Sequence, residues 1–431
     1  MHFFPLIYFS GLTYYFWQKR HVFDCAVYMS LLYAITSFCC ILMVELGYLE
    51  GSGVLCDGWT PEFGIVPTLL YCGFITITIF PFSFLHPEKI ERITITHRKT
   101  LYAFTFLIVV QGLLVAALVF DSIDTILSGD FRDLKDAGYA GDMSPVDIKV
   151  FSMPLPVQAL YLTTNLTQLG LPLFFYYTCV EKRPLWLTWI LLFTALAPIL
   201  RGMLTGDRTE ILNFALMFLF CLCLFRKALV RKVKIFFSIM SVPIVALGLV
   251  YVVAVSDSRF GEKDEGTSGS MLQYAGQSFA NFCYFYDNHN SDLYYVEREL
   301  PLSSFLLTQK QYTDTKEERT AREGFFIGVF ASHVGSWMLD IGVGGAFVLC
   351  CIFALLSVLV IRYYNRKEFD IEELLLIYVL AAVPVFGIFY YRYYHIALAI
   401  IYLVAVLLYL FSKLRFVWKK DCKQEENNSE Q

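Results

Sequence analysis

Two arginines, Arg201 and Arg208, flank a short turn between two apolar segments, within the sequence RGMLTGDRTEILNFALMF. A guanidinium group binds phosphate or carboxylate through parallel hydrogen bonds, and an arginine that faced lipid instead would be costly. If a helix begins at Thr209, the N–H groups of its first turn also attract an anion. The turn therefore predicts an anion site. The alternative is that both arginines pair with Asp207 and Glu210 or extend to the membrane interface.

A histidine and an aspartate, His333 and Asp340, open a later apolar stretch that reads SHVGSWMLDIGVGGAFV. They are seven residues apart and share a face if the stretch is helical. Histidine can act as a base near neutral pH, and a carboxylate can accept a proton from an alcohol. Both are candidate catalytic residues. For His333, an interfacial role with its hydrogen bonds satisfied is an equal alternative, whereas a carboxylate inside an apolar window favours a functional role.

Further polar candidates lie in two other regions. Arg392, within YYRYYH, either contributes to a sugar or pyrophosphate site or extends from an aromatic belt at the interface. A long polar segment holds a cluster of Asp287, His289 and Asp292, and it also holds the anion candidates Arg259, Arg298, Arg319 and Arg322. The chain has no HExxH or CxxC motif, so the sequence predicts no metal site.

The composition places these residues in a membrane protein. Of the 431 residues, 57 % are hydrophobic and only 17 % are charged. Soluble domains are about half apolar and a quarter charged. This balance excludes a disordered or fibrous chain, and a net charge of −4 argues against a nucleic-acid partner.

Eleven apolar windows are long enough to cross the roughly 30 Å hydrocarbon layer. Only helices satisfy their own backbone in lipid, so the sequence predicts an all-α bundle of about eleven transmembrane helices, with residues 1–431 forming a single membrane domain. The windows span residues 2–17, 22–46, 67–85, 101–120, 155–180, 185–204, 209–225, 235–255, 331–361, 371–390 and 395–412.

The basic residues predict the orientation of the bundle. One set of alternate loops together with the tail 413–431 carries 21 of the 34 lysines and arginines. Cytoplasmic loops are enriched in these residues, so the tail is predicted to be cytoplasmic and the N-terminus periplasmic. Two large periplasmic loops, 121–154 and 256–330, then hold most of the remaining polar residues. No nucleotide-binding motif occurs, so ATP-driven transport by this chain alone is not expected.

Three segments resemble the O-antigen polymerases (Wzy-type), which join oligosaccharide repeat units. LTGDRTEIL (204–212) is similar to the family's "tGsR" turn, with Asp207 where serine is commoner. YAGQSFANF (274–282) is similar to a tyrosine-containing stretch near the start of the long periplasmic loop. LDIGVGG (339–345) is similar to the "DFGxxG" stretch, with Ile341 in place of phenylalanine.

The resemblance implies a metal-independent glycosyltransferase, without a cofactor, in the bacterial inner membrane. Such an enzyme transfers a glycan from its polyprenyl-pyrophosphate carrier to the next lipid-linked repeat unit on the periplasmic face. Arg208 matches the family motif for holding the pyrophosphate. Four further arginines are candidates for the same site because of where they lie in the chain: Arg201, Arg259, Arg322 and Arg392. Tyr274, Asp287 and His289 are the candidate sugar-binding residues. Membrane lipid, a chain-length regulator and a flippase are the expected further partners.

Three alternatives stay open. An O-antigen ligase has a similar architecture, but its histidine pattern does not match the residues that follow His333. A solute or polysaccharide transporter would typically show inverted repeats, and none is evident here. A purely structural membrane partner would not need Arg201, Arg208 and Asp340 near the membrane.

Overall fold

The computed structural model describes residues 1–48, 63–121, 145–204, 209–230, 266–289, 316–325, 329–361 and 367–429, and positions 233, 235, 237 and 239. Nearly all regular structure in these ranges is helical, as the sequence predicts. The α-helices are α1 Phe4–Arg20, α2 Cys25–Glu45, α3 Ile65–Ile79, α4 Arg98–Asp121, α5 Pro145–Phe151, α6 Leu155–Leu162, α7 Gly170–Cys179, α8 Leu185–Ala195, α9 Ala197–Leu204, α10 Thr209–Leu224, α11 Gly266–Asn288, α12 Lys316–Glu323, α13 Ser332–Ile361, α14 Ile371–Phe386 and α15 Ile396–Ser429. Short 3-10 helices lie at Phe80–Phe84, Pro87–Lys89 and Thr164–Leu169, and two strands are β1 Arg92–Thr94 and β2 Glu368–Asp370.

Five helical stretches of the described residues are long and apolar enough to cross a bilayer. They are Cys25–Glu45, Ile65–Lys89, Arg98–Asp121, Ser332–Ile361 and Ile396–Lys413. A sixth crossing results if α8 and α9, which are bent by 40° at their junction, form one span. The chain is therefore a helical membrane protein. The count of about eleven spans remains a prediction, and most of the window 235–255 lies outside the described residues.

The bundle is organised around α14, in which every residue from Ile371 to Phe386 is buried. An all-round apolar sequence is what a helix enclosed by other helices requires. Asp370 begins this helix by forming a capping box with Glu373, so the backbone N–H groups of the first turn are satisfied. Helix α14 ends at Phe386, with Gly387 as the C-cap residue, and the turn that follows reaches Arg392.

Several predicted continuous spans are interrupted. The window 155–180 consists of α6, the 3-10 helix Thr164–Leu169 and α7. Helix α13 breaks at Gly342, whose φ of +72° and ψ of 173° suit glycine and no other residue without strain. The glycines of this stretch, Gly342 among them, allow an interrupted helix on sequence grounds. Hydropathy does not reveal a change in winding, so the 3-10 turn within 155–180 was not predicted.

The segments that the sequence assigns to the cytoplasm meet at one end of the bundle. Strands β1 and β2 pair in parallel there, with Arg92 opposite Glu368. Hydrogen bonds or ion pairs join Arg20 to Leu85, Arg226 to Phe23, Glu91 to Lys367, Arg98 to Glu181, and Lys413 to Glu373. The basic loops are therefore in direct contact with one another or with their neighbours at this end, which we call the basic end.

The segments predicted to be periplasmic meet at the other end. Polar contacts join His2 to Glu45, Gln273 to Tyr48, Ser278 to Ile388, Asn281 to Phe330, and Arg392 to Glu210. We call this the outer end, in keeping with the predicted orientation.

The predicted loop 256–330 contains a long helix. Helix α11 packs along α2, and a Cβ on Gly276 would lie 2.7 Å from backbone atoms of Cys39 and Cys40. The absence of a side chain at this position is therefore what allows the two backbones to approach. Phe279 is buried and lies 5.3 Å from Phe63 between ring centroids. The aromatic part of this helix therefore packs on the bundle, and Phe282 and Phe285 are buried with Phe279.

Candidate functional site

A small cavity, lined mostly by apolar side chains with a few polar groups among them, lies in the bundle near the outer end. It is large enough for about one water molecule. Five elements contribute to it: the 3-10 helix Thr164–Leu169, α7, the α8–α9 junction, α10 and α14. The lining residues are Gln168, Leu171, Ala195, Pro198, Glu210, Asn213, Phe214, Met217, Tyr378 and Phe386. Three of these, Gln168, Glu210 and Asn213, bring amide or carboxylate groups into an apolar interior.

Glu210 and Arg392 form an ion pair beside this cavity. Nη2 of Arg392 donates to both carboxylate oxygens of Glu210, at 2.8 and 2.9 Å. Nη1 donates to the hydroxyl of Tyr390 at 3.2 Å, and the guanidinium lies 5.1 Å from the ring centroid of Phe386. Arg392 is only 2 % exposed, whereas Glu210 is 19 % exposed. Arg392 is thus an interior residue, and the alternative of an arginine extending into the interface does not describe it.

Asn213 lies three residues after Glu210 on α10, so both side chains share one face of the helix. It is 3 % exposed, and within the described part of the chain neither Nδ2 nor Oδ1 has a hydrogen-bond partner. Nε2 of Gln168, also on the cavity wall, is likewise buried without a described partner. Buried polar groups are nearly always paired, so these two amides are the candidate groups for binding a water molecule or a ligand atom in the cavity.

Arg201 lies next to the cavity wall. It follows Pro198 by about one turn of α9, and its Nη1 donates to Oγ1 of Thr164 at 3.2 Å. Its guanidinium lies 4.9 Å from the ring centroid of Tyr161. No ion pair within the described residues joins Arg201 to a carboxylate. Glu210, one of its two predicted partners, pairs with Arg392 instead, and the other, Asp207, lies outside the described residues.

His333 is fully buried in a polar cluster at the start of α13. Its Nε2 lies 3.1 Å from Oγ1 of Thr78, and its Nδ1 lies 3.3 Å from the hydroxyl of Tyr33 and 3.5 Å from the carbonyl oxygen of Gly387. The ring of Trp337 closes the cluster edge-on at 5.1 Å. Both imidazole nitrogens are engaged within the protein, which favours the alternative of a hydrogen-bonded structural histidine.

Asp340 lies two turns further along the same half of α13, just before the break at Gly342. Its side chain is 1 % exposed, so the carboxylate is enclosed in the bundle. The structure therefore keeps His333 and Asp340 on one helical segment, as predicted. It places Arg201, Glu210 and Arg392 elsewhere, around the cavity.

The candidate sugar-binding residues do not form one cluster. Tyr274 packs edge-on against Phe330 at 5.3 Å. Asp287 and His289 lie at the far end of α11, about 20 Å along the helix at 1.5 Å per residue. There His289 Nδ1 lies 3.1 Å from Oε2 of the buried Glu323, and Asp287 is exposed.

The other predicted anion-binding residues cannot be placed. Arg208 and Arg259 lie outside the described residues, and so does the side chain of Arg322. Among the described residues no group of three or more histidine, cysteine, aspartate or glutamate side chains is arranged to hold a metal ion.

Gln168 and Asn213 are cavity residues that the sequence reading missed. Each is an amide within a predicted span, 155–180 or 209–225, and a polar residue in an apolar window is a usable signal. The signal does not reveal that the two amides line one cavity. That depends on how the 3-10 helix Thr164–Leu169 and α10 pack in the folded chain.

Comparisons with known proteins add no assignment: no protein-family model, curated protein or solved structure gives a significant match to the chain.

Proposed function

We propose that the protein is a metal-independent glycosyltransferase of the bacterial inner membrane. It joins oligosaccharide repeat units carried on polyprenyl pyrophosphate, at the periplasmic face, into O-antigen or capsule polysaccharide. The growing glycan is released from its carrier and transferred to the next lipid-linked unit. A chain-length regulator and a flippase are its proposed partners.

The position of the Arg201 side chain is the observation that best supports the proposal. This side chain carries a positive charge without a described carboxylate partner, one helical turn after the cavity residue Pro198. Departure of a pyrophosphate needs stabilisation of negative charge, and an arginine fixed in place supplies it. The polyprenyl chain is accommodated in the lipid around the helices. Arg208, Arg259 and Arg322 are proposed to complete the pyrophosphate site.

The direct test uses purified full-length protein and a polyprenyl-pyrophosphate-linked oligosaccharide. Arg201→Ala should lower the transfer rate about 10²- to 10³-fold, the effect of removing one stabilising donor. Arg226→Ala is the matched control, because Arg226 is an arginine at the basic end that contacts only the backbone of Phe23 among the hydrogen bonds described. In cells, the Arg201 variant should leave single-repeat surface glycan instead of a ladder. A full ladder that is not attached to its final acceptor would instead indicate a ligase.

The interrupted helices support a second candidate, a transporter of solutes or polysaccharide. Discontinuous membrane helices that carry polar side chains line the substrate sites of many transporters. Here the break in 155–180 carries Gln168, and the bend between α8 and α9 lies on the same cavity. Flux of a labelled glycan or solute across proteoliposomes, with no new glycosidic bond, would favour this function over the polymerase.

A further inference from the structure

Glu210 faces the cavity with one side and Arg392 with the other. The guanidinium neutralises the carboxylate and fixes its orientation through two hydrogen bonds. Arg392 is itself held in place by contacts with Tyr390 and Phe386. Its two hydrogen bonds therefore hold the Glu210 carboxylate at a fixed position. Glu210 therefore presents a positioned proton acceptor to whatever enters the cavity.

The cavity has the size of one hydroxyl group. About one water molecule fits in it, so a sugar ring does not, but one hydroxyl projecting from a ring does. A hydroxyl both donates and accepts hydrogen bonds. Glu210 can only accept, whereas Nδ2 of Asn213 and Nε2 of Gln168 can donate and have no partner among the described residues. The lining thus complements a hydroxyl group that donates to Glu210 and accepts from an amide.

We propose that this cavity receives the attacking hydroxyl of the acceptor sugar, with Glu210 as the catalytic base and Asn213 as the group that binds the hydroxyl oxygen. The inference rests on the proposed glycosyl transfer. The acceptor oxygen forms a bond to the anomeric carbon as the bond between that carbon and the pyrophosphate oxygen breaks. The electron pair leaves with the pyrophosphate, and the hydroxyl proton passes to the Glu210 carboxylate. Arg201, on helix α9, is the group proposed to stabilise the departing charge.

This assignment differs from the sequence-based candidates His333 and Asp340. His333 is 0 % exposed and both of its nitrogens lie within hydrogen-bond distance of protein atoms, so neither nitrogen reaches a substrate hydroxyl. Glu210 is partly exposed and lies on a cavity. A base must reach the proton that it removes, and Glu210 meets that condition.

Asn213→Leu is the first test, because it removes an amide that has no described partner and keeps the side-chain size. Leucine should fold at least as well as asparagine here, so an effect on activity cannot come from unfolding. We expect an unchanged or higher melting temperature together with a KM for the acceptor raised at least about tenfold, as for the loss of one hydrogen bond to a bound hydroxyl. Unchanged acceptor kinetics would overturn the role of Asn213.

Glu210→Gln is the second test, with Glu45→Gln as the matched control. Glu45 is a largely exposed carboxylate at the same end, paired with His2. Glu210→Gln should lower kcat by about 10²- to 10⁴-fold and leave the dissociation constant of the lipid-linked donor unchanged. If the single variant does not fold, Glu210→Gln with Arg392→Met removes both charges of the pair and serves in its place.

Retained kcat in a folded Glu210 variant, with wild-type protein active, would overturn the assignment of the base and leave the proposed function standing. Equal losses of donor binding and kcat would also overturn it, because they indicate a structural role. Wild-type protein that releases no polyprenyl pyrophosphate would overturn the proposed function, and this inference with it.

Discussion

His333 shows how one residue can be recognised from sequence as special while its role depends on its neighbours. Histidine at the start of an apolar stretch fits catalysis and hydrogen-bonded packing equally well. The structure places Tyr33 from α2, Thr78 from α3 and Gly387 from the end of α14 around the ring. These three partners are remote in sequence, so no local pattern could have shown that the imidazole is enclosed.

The contact between His333 and Gly387 gives a stability prediction. A Cβ on Gly387 would lie 2.1 Å from Nδ1 of His333 and 2.6 Å from the carbonyl oxygen of Val383. Gly387→Ala should therefore destabilise the protein by at least about 1–3 kcal/mol, the usual cost of overpacking. The melting temperature in detergent measures this. Gly73→Ala is the control, because a Cβ there meets nothing within 4 Å.

The double variant His333→Ala with Gly387→Ala separates the two clashes. It removes the imidazole but not the carbonyl, so it should recover part of the melting temperature lost in Gly387→Ala. A double variant no more stable than the sum of its single changes would show that the imidazole is not the neighbour that a side chain at residue 387 displaces.

At the scale of elements, hydropathy predicts where helices lie but not how they end or meet. The predicted windows overlap well with α2, α4 and α10, because a long apolar segment has few other folds in lipid. The break at Gly342 and the 3-10 turn at Thr164–Leu169 depend on packing. The same holds for α11. Its mixed polar and aromatic composition is typical of a loop, and its helical structure depends on packing one face against α2.

The crossing of α2 and α11 gives a prediction at this scale. A Cβ on Gly276 would meet the backbone at Cys39 and Cys40, and backbone atoms cannot rotate away as a side chain can. Gly276→Ala should separate the two helices and lower stability by about 1–3 kcal/mol or more. Gly11→Ala on α1, where a Cβ meets nothing within 4 Å, provides the comparison. A melting temperature of Gly276→Ala equal to that of the Gly11 variant would contradict this close approach.

At the scale of the molecule, sequence predicts the helical membrane character of the chain, and the orientation of its charged ends stays a prediction. Basic residues in loops far apart along the chain meet at the basic end, through contacts such as Arg98 with Glu181 and Lys413 with Glu373. The Glu210–Arg392 pair joins residues 182 positions apart at the outer end. Both charged residues are evident in the sequence, but their pairing is not. The predicted partners of Glu210 were Arg201 and Arg208, because these arginines are much closer to it along the chain.

Independence from metal ions is a prediction about the whole reaction. Because arginines are proposed to stabilise the leaving pyrophosphate, purified protein should keep its transfer rate in the presence of EDTA. The assay compares turnover of a lipid-linked oligosaccharide before and after chelation, with and without added Mg²⁺. A rate that falls about tenfold or more with EDTA and returns with Mg²⁺ would contradict the role given to the arginines.

The last prediction concerns the orientation of the bundle, because the proposed chemistry requires the outer end to face the periplasm. The excess of basic residues at the opposite end predicts that this end stays in the cytoplasm. A protease added to intact spheroplasts should remove a tag placed before Met1 and spare a tag placed after Gln431, and lysis should expose the second tag.

A cysteine introduced at Glu45 should react with a membrane-impermeant maleimide from outside, since Glu45 is largely exposed at the outer end. A cysteine at Lys367, which is exposed beside Glu91 at the basic end, should react only after lysis. The reverse labelling pattern would place Arg201, Glu210 and Arg392 in the cytoplasm, where no periplasmic polymer could be assembled by them.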